Sequence, residues 1–517
     1  MPIRPLLLCL VPLALISVMA HAADAPTIRG QVRDEAGPVA GARVRIKGTK
    51  CLAQTDTDGR FELTGAGERI TAWKAGYFIA GVPTGRGPLE LRLRPLPKED
   101  NPDYAWVDPH PSKEHAHNCG NCHSEIFREW AASAHGRAGR NKHFLNLYDG
   151  TDWHGRPDRG WSLLTEHPDG AAVCAACHAP TVPFDHPGFL DFRKLDGVHA
   201  RGVHCDYCHK IADVSTAKLG LEHGRFAHTL LRPKEGQLFF GPLDDVDRDE
   251  DVYAPFYSES RYCAACHEGT VFGAKVYTTY SEWLASPAGQ QGQQCQSCHM
   301  APTGAMDNIA PGRGGIKRDP LTLASHHMPG GTPDMLTRCL RLSVTLRREQ
   351  GVLHVATETL ATNVGHRVPT GFIDRNLILV VEPLTAAGTR ARLRHGPTLP
   401  GAAGTGDPEK GNFAGRPGRF YAKQLEDEAG RRPVPFWRSN REHADTRLVP
   451  DQPDRTGWRF DADGVQKVRV RLVYRRFFKA VADSKSWPDN DTVVIDATLD
   501  APAEGRTVEW QSGRPKQ

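Results

Sequence analysis

The chain has 517 residues, with 65 basic and 61 acidic side chains and a formal net charge of +4. This length is enough for two to four domains. The near balance of charges argues against a nucleic-acid-binding protein, which normally carries a clear basic excess. The unusual counts are the 13 cysteines and 24 histidines, so the spacing of these two residue types carries most of the information about function.

The N-terminus, "MPIRPLLLCLVPLALISVMAHAADAP", predicts a signal peptide. Arg4 supplies a positive charge, an apolar run covers residues 6–18, and Ala20 and Ala22 form the small-residue cleavage pattern. We therefore expect residues 1–22 to be removed, with a retained membrane anchor as the alternative. The mature protein is then expected in the periplasm, or secreted to the cell surface, where disulfides can form.

Residues 27–97 alternate apolar and polar side chains around turns, as in "IRGQVRDEAGPVAGARVRIKGT" and "TDTDGRFEL". This pattern predicts a small β-sandwich. The order G-x-V, G-A-x-V, T-D-x-D-G-x-F, "AWKAGYF" resembles the carboxypeptidase regulatory-like domain. Members of that family are usually accessory modules, so the resemblance implies no catalysis. The Pro-rich, polar residues 98–112 are typical of a linker.

Ten of the 13 cysteines form five C-x-x-C-H motifs. The spacing is that of c-type haem attachment, in which the two thiols bond to the haem vinyl groups and the histidine binds the iron. Zinc sites would need paired C-x-x-C units, and a thioredoxin-like motif would occur once. We therefore predict five covalently attached haems c. The attachment cysteines are Cys119, Cys122, Cys174, Cys177, Cys205, Cys208, Cys263, Cys266, Cys295 and Cys298, and the iron-binding histidines are His123, His178, His209, His267 and His299.

The motifs are spaced in a regular way along the chain. Their first cysteines are 55, 31, 58 and 32 residues apart, and "CAACH" opens both short gaps. E-W-x-x-S also occurs twice, at 129–133 and 282–286. A duplicated unit explains this pattern, and shared demands of haem packing are the alternative. The short gaps predict that haems two and three, and haems four and five, are close neighbours.

The fold class predicted is a multidomain protein in which two β-sandwich domains flank a loop-rich, mainly helical pentahaem domain. The pentahaem domain is assigned to residues 113–332, where haem replaces much of the apolar interior. Residues 335–515 lack the haem motif and contain alternating segments such as "LRLSVTLRREQGVLHVATETLATN" and "QKVRVRLVYRRF", which predict the second sandwich.

The haem segment resembles a known family. "CGNCHSEIFREWAASAHGRA", followed by "CAACH", "GVHCDYCH" and "CAACH", is similar to the tetrahaem cytochromes that accept electrons from hydroxylamine oxidoreductase in ammonia oxidisers. The similarity covers about residues 116–270, the first four motifs. The fifth motif lies outside it and, like "SHHMPGG" and "GHRVPTG", resembles segments of larger multihaem cytochromes. This resemblance implies an electron-transfer protein.

The resemblance also implies distal ligands on the second side of two of the irons. It assigns His135 to the third haem and His223 to the first, with His228 as the alternative to His223. It implies that the second haem, that of His178, has no distal side-chain ligand, although His186 and His199 lie nearby in sequence.

Further distal candidates lie beyond the fifth motif. One of His326 and His327 is expected to bind haem four or five. His366 is expected to bind another haem, and the alternative is that it packs in its loop against Pro369. His117 and His204 precede haem cysteines, where contact with a haem edge is the more common role.

Two function hypotheses follow. The first is an exported electron-transfer protein working with a redox partner protein or a quinol-linked donor, with the β-domains positioning it or mediating self-association. The second is an oxidoreductase acting on a small nitrogen or sulfur compound at one open haem, which would need acid–base groups near the iron. No catalytic residue is assigned. Cys51 and Cys339 are expected either to pair across the β-domains or to stay free.

Overall fold

The computed structural model describes residues 26–169, 172–185, 191–220 and 226–513. The predicted signal peptide lies outside the described residues, as do His186 and His223. A β-rich region is followed by a segment of short elements that carries the haem motifs, and then by a second β-rich region. None of the helices in these ranges has the length and hydropathy needed to cross a membrane.

The N-terminal region contains two sheets. Strand β1 pairs antiparallel with β4 and parallel with β7, and the second sheet has the order β3-β2-β5-β6. The alternating burial along β2 and β4 reproduces the alternation in the sequence. The strands are β1 (Thr27–Arg33), β2 (Arg43–Ile46), β3 (Leu52–Gln54), β4 (Arg60–Thr64), β5 (Arg69–Trp73), β6 (Ala80–Pro83) and β7 (Leu89–Arg92).

The core of this region draws on both sheets. Val32 and Phe61 from the first sheet and Val44 and Ile70 from the second belong to one apolar cluster, and each is at most 5 % exposed. A shared interior is what a sandwich requires, while the sandwich arrangement itself stays a prediction.

The segment 98–112 contains neither helix nor strand, which agrees with a linker, but it packs closely against the haem segment. Tyr104 and Trp106 are buried, and the Tyr104 hydroxyl and the Val107 N–H both donate to the buried Asp206 carboxylate. The linker is therefore held in place by aromatic burial and by hydrogen bonds to a charged group.

The haem segment is poorer in helix than the sequence analysis predicts. Its helices are only four to nine residues long. The helices are α1 (Ser124–Ala132), α2 (Lys142–Asp149), α3 (Leu163–Glu166), α4 (Ala172–His178), α5 (Val182–Asp185), α6 (Cys205–Cys208), α7 (Arg261–His267), α8 (Thr279–Leu284), α9 (Pro287–Gln290) and α10 (Gln296–His299). The strands form two-stranded sheets: β8 (Ile211–Val214) with β9 (His228–Leu230), β10 (Phe239–Gly241) with β11 (Asp251–Tyr253), and β12 (Glu268–Val271) with β13 (Ala274–Thr278).

Helix α1 shows why the helices are short. The sequence analysis takes "SEIFREWAASAHGRA" as one helical stretch, but the helix ends at Ala132 because Ser133 adopts an extended conformation. The Ser133 hydroxyl then accepts the Gly136 N–H, a local side-chain bond that competes with helix continuation. The chain therefore turns before His135.

The C-terminal region contains two five-stranded sheets, ordered β17-β20-β15-β14-β23 and β19-β18-β16-β21-β22. Strands β14 and β15 alternate in burial as predicted, whereas β16, in the middle of its sheet, is buried at eight successive positions. The elements are α11 (Pro333–Cys339), β14 (Leu340–Glu349), β15 (Val352–Ala361), β16 (Asn376–Thr385), β17 (Leu393–His395), β18 (Gly418–Glu426), β19 (Arg441–Asp445), β20 (Asp454–Asp461), β21 (Val465–Arg475), α12 (Lys479–Ser484), β22 (Asp491–Asp500) and β23 (Thr507–Gln511).

A buried lysine joins the C-terminal region to the haem segment. Lys485, just after α12, has no exposed surface, and its Nζ donates to the backbone carbonyls of Asn146, Thr151 and Trp161 at 2.8, 3.2 and 2.7 Å. Trp487 Nε1 donates to the Asn146 side chain at 2.9 Å. These bonds fix the end of α2 to the C-terminal region.

Candidate haem-binding site

The five motifs share one local geometry. Four lie on the short helices α4, α6, α7 and α10, and the first lies on a 3-10 turn over Cys119–Asn121. Residues three apart on such a turn face the same side, so the two thiols of each motif project together and the histidine follows directly. This arrangement fits a haem attached at two vinyl groups and bound through one imidazole.

The motif histidines are held in the tautomer that binds a metal. Nδ1 of His123, His178, His209 and His299 donates to a backbone carbonyl, that of Ile309, Ala138, Phe240 and Pro329 respectively, at 2.6–3.0 Å. An imidazole that donates from Nδ1 keeps the Nε2 lone pair for an iron and is held in orientation. The residues present therefore fit the cofactor that the motifs predict.

Two histidine pairs have the spacing of axial ligands. The ring centres of His135 and His267 are 6.2 Å apart, and those of His299 and His366 are 6.3 Å apart. Two imidazoles that share one metal ion at about 2 Å each place their ring centres about 6 Å apart. Burial lowers the pKa of His267 to about 3, which keeps this imidazole neutral as ligation requires.

The position of His135 corrects one assignment. The resemblance assigns His135 to the third haem, that of His209, but the structure sets it beside His267 of the fourth motif. The reason is local: the chain turns at Ser133, and the His135 carbonyl accepts the Val203 N–H at 3.1 Å. His135 is thereby anchored beside the third motif while its ring lies beside the histidine of the fourth.

The pair His326 and His327 requires a second correction. We expect one of them at haem four or five, but the half-buried His326 lies in a loop held by Glu129, on the helix that also holds the chain before the third motif. Burial, with a smaller contribution from the third-motif histidine His209, lowers the pKa of His326 to about 4. The His327 side chain is 51 % exposed, and its Nδ1 lies 3.3 Å from Glu129 Oε1. Of the two, His326 is therefore the candidate ligand.

The remaining histidines fall into different roles. The assignment of His223 to the first haem lies outside the described residues. Its alternative, His228, is half-buried, and its Nδ1 lies 2.7 Å from the Tyr207 hydroxyl. His117 is exposed. His204 is fully buried, with Nδ1 accepting the Tyr207 N–H at the start of α6 and Nε2 left without a protein partner.

The second motif opens onto a small apolar cavity of about 60 Å³. Phe144 stacks on the His178 ring with a centre distance of 4.0 Å. His178 is the one histidine among the residues that line the cavity in the described part of the chain. The nearby His199 Nδ1 lies 2.8 Å from the Thr181 hydroxyl. The lining residues are Phe144, Leu147, Tyr148, Leu163, Val173, Cys174, Cys177, His178, Val271, Val276, Tyr277, Phe372, Phe436 and Trp437.

Thiols from different motifs lie against one another. A hydrogen bond with Cys119 raises the pKa of Cys205, which connects the first and third motifs. A hydrogen bond with Cys295 does the same for Cys263, which connects the fourth and fifth. The predicted closeness of the fourth and fifth motifs thus appears in the structure.

The fourth motif has further neighbours. A hydrogen bond with Cys177 of the second motif raises the pKa of Cys266. Burial, with a smaller contribution from Cys266, raises the pKa of Cys208 to about 12. The second and third motifs therefore both lie near the fourth, an arrangement that the sequence gaps do not predict. Together with the two contacts above, these connect all five motifs into one network centred on the fourth.

Two cysteines lie outside the motifs in the described residues. Cys51 is exposed and Cys339 is partly buried, and both are free thiols. Of the two alternatives for this pair, the structure contains the unpaired one.

Glu129 and Glu282 were missed as candidate site residues. Their carboxylates bond to the loops that carry His326 and His366. The E-W-x-x-S repeat is visible in the sequence. The loops that the two glutamates bond to lie far along the chain, however, and no local pattern connects these loops to the repeat.

Comparison with known proteins supports the class of protein that the site defines. The sequence model of the family described as cytochrome c554 and c-prime matches residues 118–210. A penta-heme cytochrome c552 from Thermochromatium tepidum shares the fold with a TM-score of 0.52 and 21 % identity, over 74 % of this chain and 97 % of that chain. No curated protein matches. The matches support a multihaem cytochrome c.

Proposed function

We propose that this chain is an exported pentahaem c-type cytochrome that transfers electrons along a chain of closely spaced haems to or from a redox partner. The observation that carries the proposal is the network of thiol contacts joining all five motifs. Because each thiol pair marks the attachment side of two haems, this network brings neighbouring haem edges together. The family match over residues 118–210 supports electron transfer as the general role.

The residues have separate tasks in this proposal. When bound, haem c supplies a one-electron redox centre whose potential depends on its axial ligands and surroundings. The paired cysteines fix its position, and the motif histidines bind one side of the iron. His135 and His366 are proposed for the opposite sides at the fourth and fifth motifs, on the basis of their ring spacings. A second histidine closes the iron to substrates and suits it to electron transfer.

The location and partners follow from the sequence. The N-terminal pattern supports removal of residues 1–22 and a place in the periplasm or at the cell surface. The donor or acceptor is proposed to be a redox protein or a quinol-linked system. The two β-rich regions are proposed to orient the protein against this partner or against a second copy.

A second candidate function rests on the cavity at the second motif. Its lining is apolar and contains a single histidine, His178. The cavity, of about 60 Å³, has room for a small ligand only, and an iron bound only by His178 would leave one position for a small nitrogen or sulfur compound.

Carbon monoxide separates the two candidates. The mature holoprotein is reduced with dithionite, its haem content per chain is measured, and its spectrum is recorded with and without the gas. Five haems and no spectral change would support pure electron transfer. A change equal to about one haem in five would support an open iron, and loss of that change in Phe372→Trp, which fills the cavity, would assign it to His178. A haem content below five would contradict both candidates.

A further inference from the structure

The two E-W-x-x-S segments have the same local structure. Both extend to a glycine, so that copy one covers residues 129–136 and copy two covers residues 282–289. In copy one the Ser133 hydroxyl accepts the Gly136 N–H at 3.3 Å, and in copy two Ser286 accepts the Gly289 N–H at 3.1 Å. Each copy therefore begins in a helix and turns at the serine.

Each tryptophan holds the chain that leads into a haem motif. Trp130 Nε1 donates at 2.8 Å to the carbonyl of Val203, two residues before Cys205. Trp283 Nε1 donates at 2.7 Å to the carbonyl of Gln293, two residues before Cys295. Copy one thus holds the third motif and copy two the fifth.

A second bond strengthens this parallel. The N–H of Val203 donates to the carbonyl of His135 at 3.1 Å, and the N–H of Gln293 donates to the carbonyl of Ala288 at 2.9 Å. The glycines just before Val203 and Gln293 have φ of +71° and +74°. The two copies match in these bonds although residues 137–201, including the second motif, lie between copy one and the chain segment that it holds.

Each glutamate holds a loop that comes from much further along the chain. Glu129 is 3 % exposed, and its Oε2 accepts the backbone N–H of His326 at 2.6 Å. The Glu282 side chain is 8 % exposed, and its Oε2 accepts the N–H of Arg367, the residue after His366, at 3.2 Å. Arg447 balances the Glu282 charge at 2.7 Å.

In copy two, Glu282 holds the loop that carries His366. This histidine faces the fifth motif, which Trp283 holds. His366 has its ring centre 6.3 Å from that of His299. In copy one, the loop held by Glu129 carries the half-buried His326, and the motif held by Trp130 ends in His209. Because Glu129 and Trp130 are adjacent on one helix, the loop of His326 and the motif of His209 are held at the same place, as in copy two.

We propose that Glu129 and Glu282 are positioning residues for distal haem ligands. Glu129 holds His326 over the haem of His209, and Glu282 holds His366 over the haem of His299. Each helix would then position both axial ligands of one iron. The tryptophan indole holds the motif with the proximal histidine, and the glutamate carboxylate holds the loop with the distal histidine. The inference rests on the proposed function and adds how the distal ligands of two of its haems are held in place.

The difference between the copies fits this assignment. Copy one carries His135 where copy two carries Ala288. His135 faces His267 of the fourth motif, so copy one supplies an additional ligand candidate to a neighbouring haem. The shared glutamate, tryptophan and serine perform the task common to both copies.

The test replaces each glutamate in the holoprotein. Glu129→Ala and Glu282→Ala are expected to convert one haem each from low spin to high spin, seen by electron paramagnetic resonance. Each is also expected to bind about one more carbon monoxide per chain than the native protein after reduction. The altered haem should match the one altered by His326→Ala and His366→Ala respectively. Each double variant, with glutamate and histidine both replaced, should show no further change.

Glu125→Ala is the matched control, because Glu125 lies on the same helix as Glu129 and pairs only with Arg128 among the described contacts. It should leave the spin state of every haem as in the native protein. A native spectrum for both glutamate variants would overturn the proposal, and so would alteration of a different haem from that altered by the matching histidine variant.

Two features keep the test decisive. If an alanine variant fails to assemble, Glu129→Asp and Glu282→Asp withdraw the carboxylate by one methylene, and a spectrum identical to that of the native protein in both would overturn the proposal. Failure of the proposed function would look different, because the native protein would then carry fewer than five haems. Five haems in the native protein with unaltered glutamate variants would contradict the positioning role alone.

Discussion

The C-terminal region and the haem segment have different kinds of interior. Strand β16 of the C-terminal region is buried along eight successive positions, with one face in an apolar cluster of leucine, valine and aromatic side chains within that region and the other in a cluster shared with α2 and α4 of the haem segment. The haem segment has helices of at most nine residues, and its buried residues include His204, Asp206 and Lys210. The first interior is complete without a cofactor, whereas the second is organised around the sites where haem attaches.

The largest expected effect comes from removing one haem at the centre of the network. Cys263→Ser with Cys266→Ser removes both attachment points of the fourth motif. We expect one haem fewer per chain and rapid proteolysis within residues 113–332, while residues 340–511 resist, because their apolar cluster does not depend on haem. Haem content and limited proteolysis with mass spectrometry measure both effects.

Cys51→Ser is the control for this change, since Cys51 is an exposed free thiol outside the motifs. It should keep five haems and the native cleavage pattern. If the double variant resisted proteolysis throughout the haem segment, the contrast between the two interiors would be wrong.

The next effect lies at the junction of the two regions. Lys485→Met leaves the three carbonyls bound by Nζ without their donor. A buried polar group without its partner costs about 1–3 kcal/mol, so we expect the free energy of unfolding to fall by roughly 2–5 kcal/mol. The urea midpoint of the holoprotein measures this change. Lys467→Met, which removes an exposed ion pair with Asp500, should change stability by at most about 1 kcal/mol.

A buried carboxyl makes stability depend on pH. Burial raises the pKa of Asp374 from 3.8 to about 8. The folded protein therefore keeps a proton between these values that the unfolded chain has lost, and stability falls as pH rises through this window, by up to about 1.4 kcal/mol per pH unit. Asp374→Asn should remove this contribution, so its advantage in melting temperature over the native protein should grow from pH 5 to pH 7.5.

The matched variant for Asp374 is Asp463→Asn, at an exposed position. It should keep the pH dependence of the native protein. An equal slope in Asp374→Asn and in the native protein would show that Asp374 ionises normally in the folded state.

The two interiors also differ in how far the sequence predicts them. Alternating side chains correctly indicate the β-strands of both flanking regions, because a strand with one buried face imposes a period of two. The C-x-x-C-H motifs identify the haem segment with the same clarity. Helix lengths there are overestimated, because side-chain turns such as that of Ser133 end helices that propensity would continue.

Distal ligands are harder to predict because they depend on contacts between residues far apart in the chain. His135 is assigned to the third motif from the sequence, whereas its ring lies beside His267 of the fourth, since its position follows from a bond with Val203. His366 lies some 67 residues after His299 in sequence, and no local spacing connects them. The repeated E-W-x-x-S was the one sequence signal that pointed to the glutamates.

The smallest expected effect concerns the attachment of the N-terminal region. The Asp247 side chain, 2 % exposed, lies in the haem segment and pairs with Lys47 and Arg69 of the N-terminal sheets. Asp247→Asn removes the negative charge but keeps the volume of the side chain. We expect stability to fall by about 1–2 kcal/mol, and the loss to shrink in high salt because Arg69 is partly exposed and is screened.

The ion pair between Arg29 and Glu62 provides the control for the Asp247 prediction. It joins two strands within the N-terminal region, with both side chains more than half exposed. Arg29→Ala should leave the melting temperature unchanged, because water and salt already screen the pair. If both variants behaved alike, the Asp247 cluster would be an ordinary surface feature. A salt-dependent loss in Asp247→Asn alone would show that buried charge, in addition to the apolar contact of Phe78 with the haem segment, attaches this region.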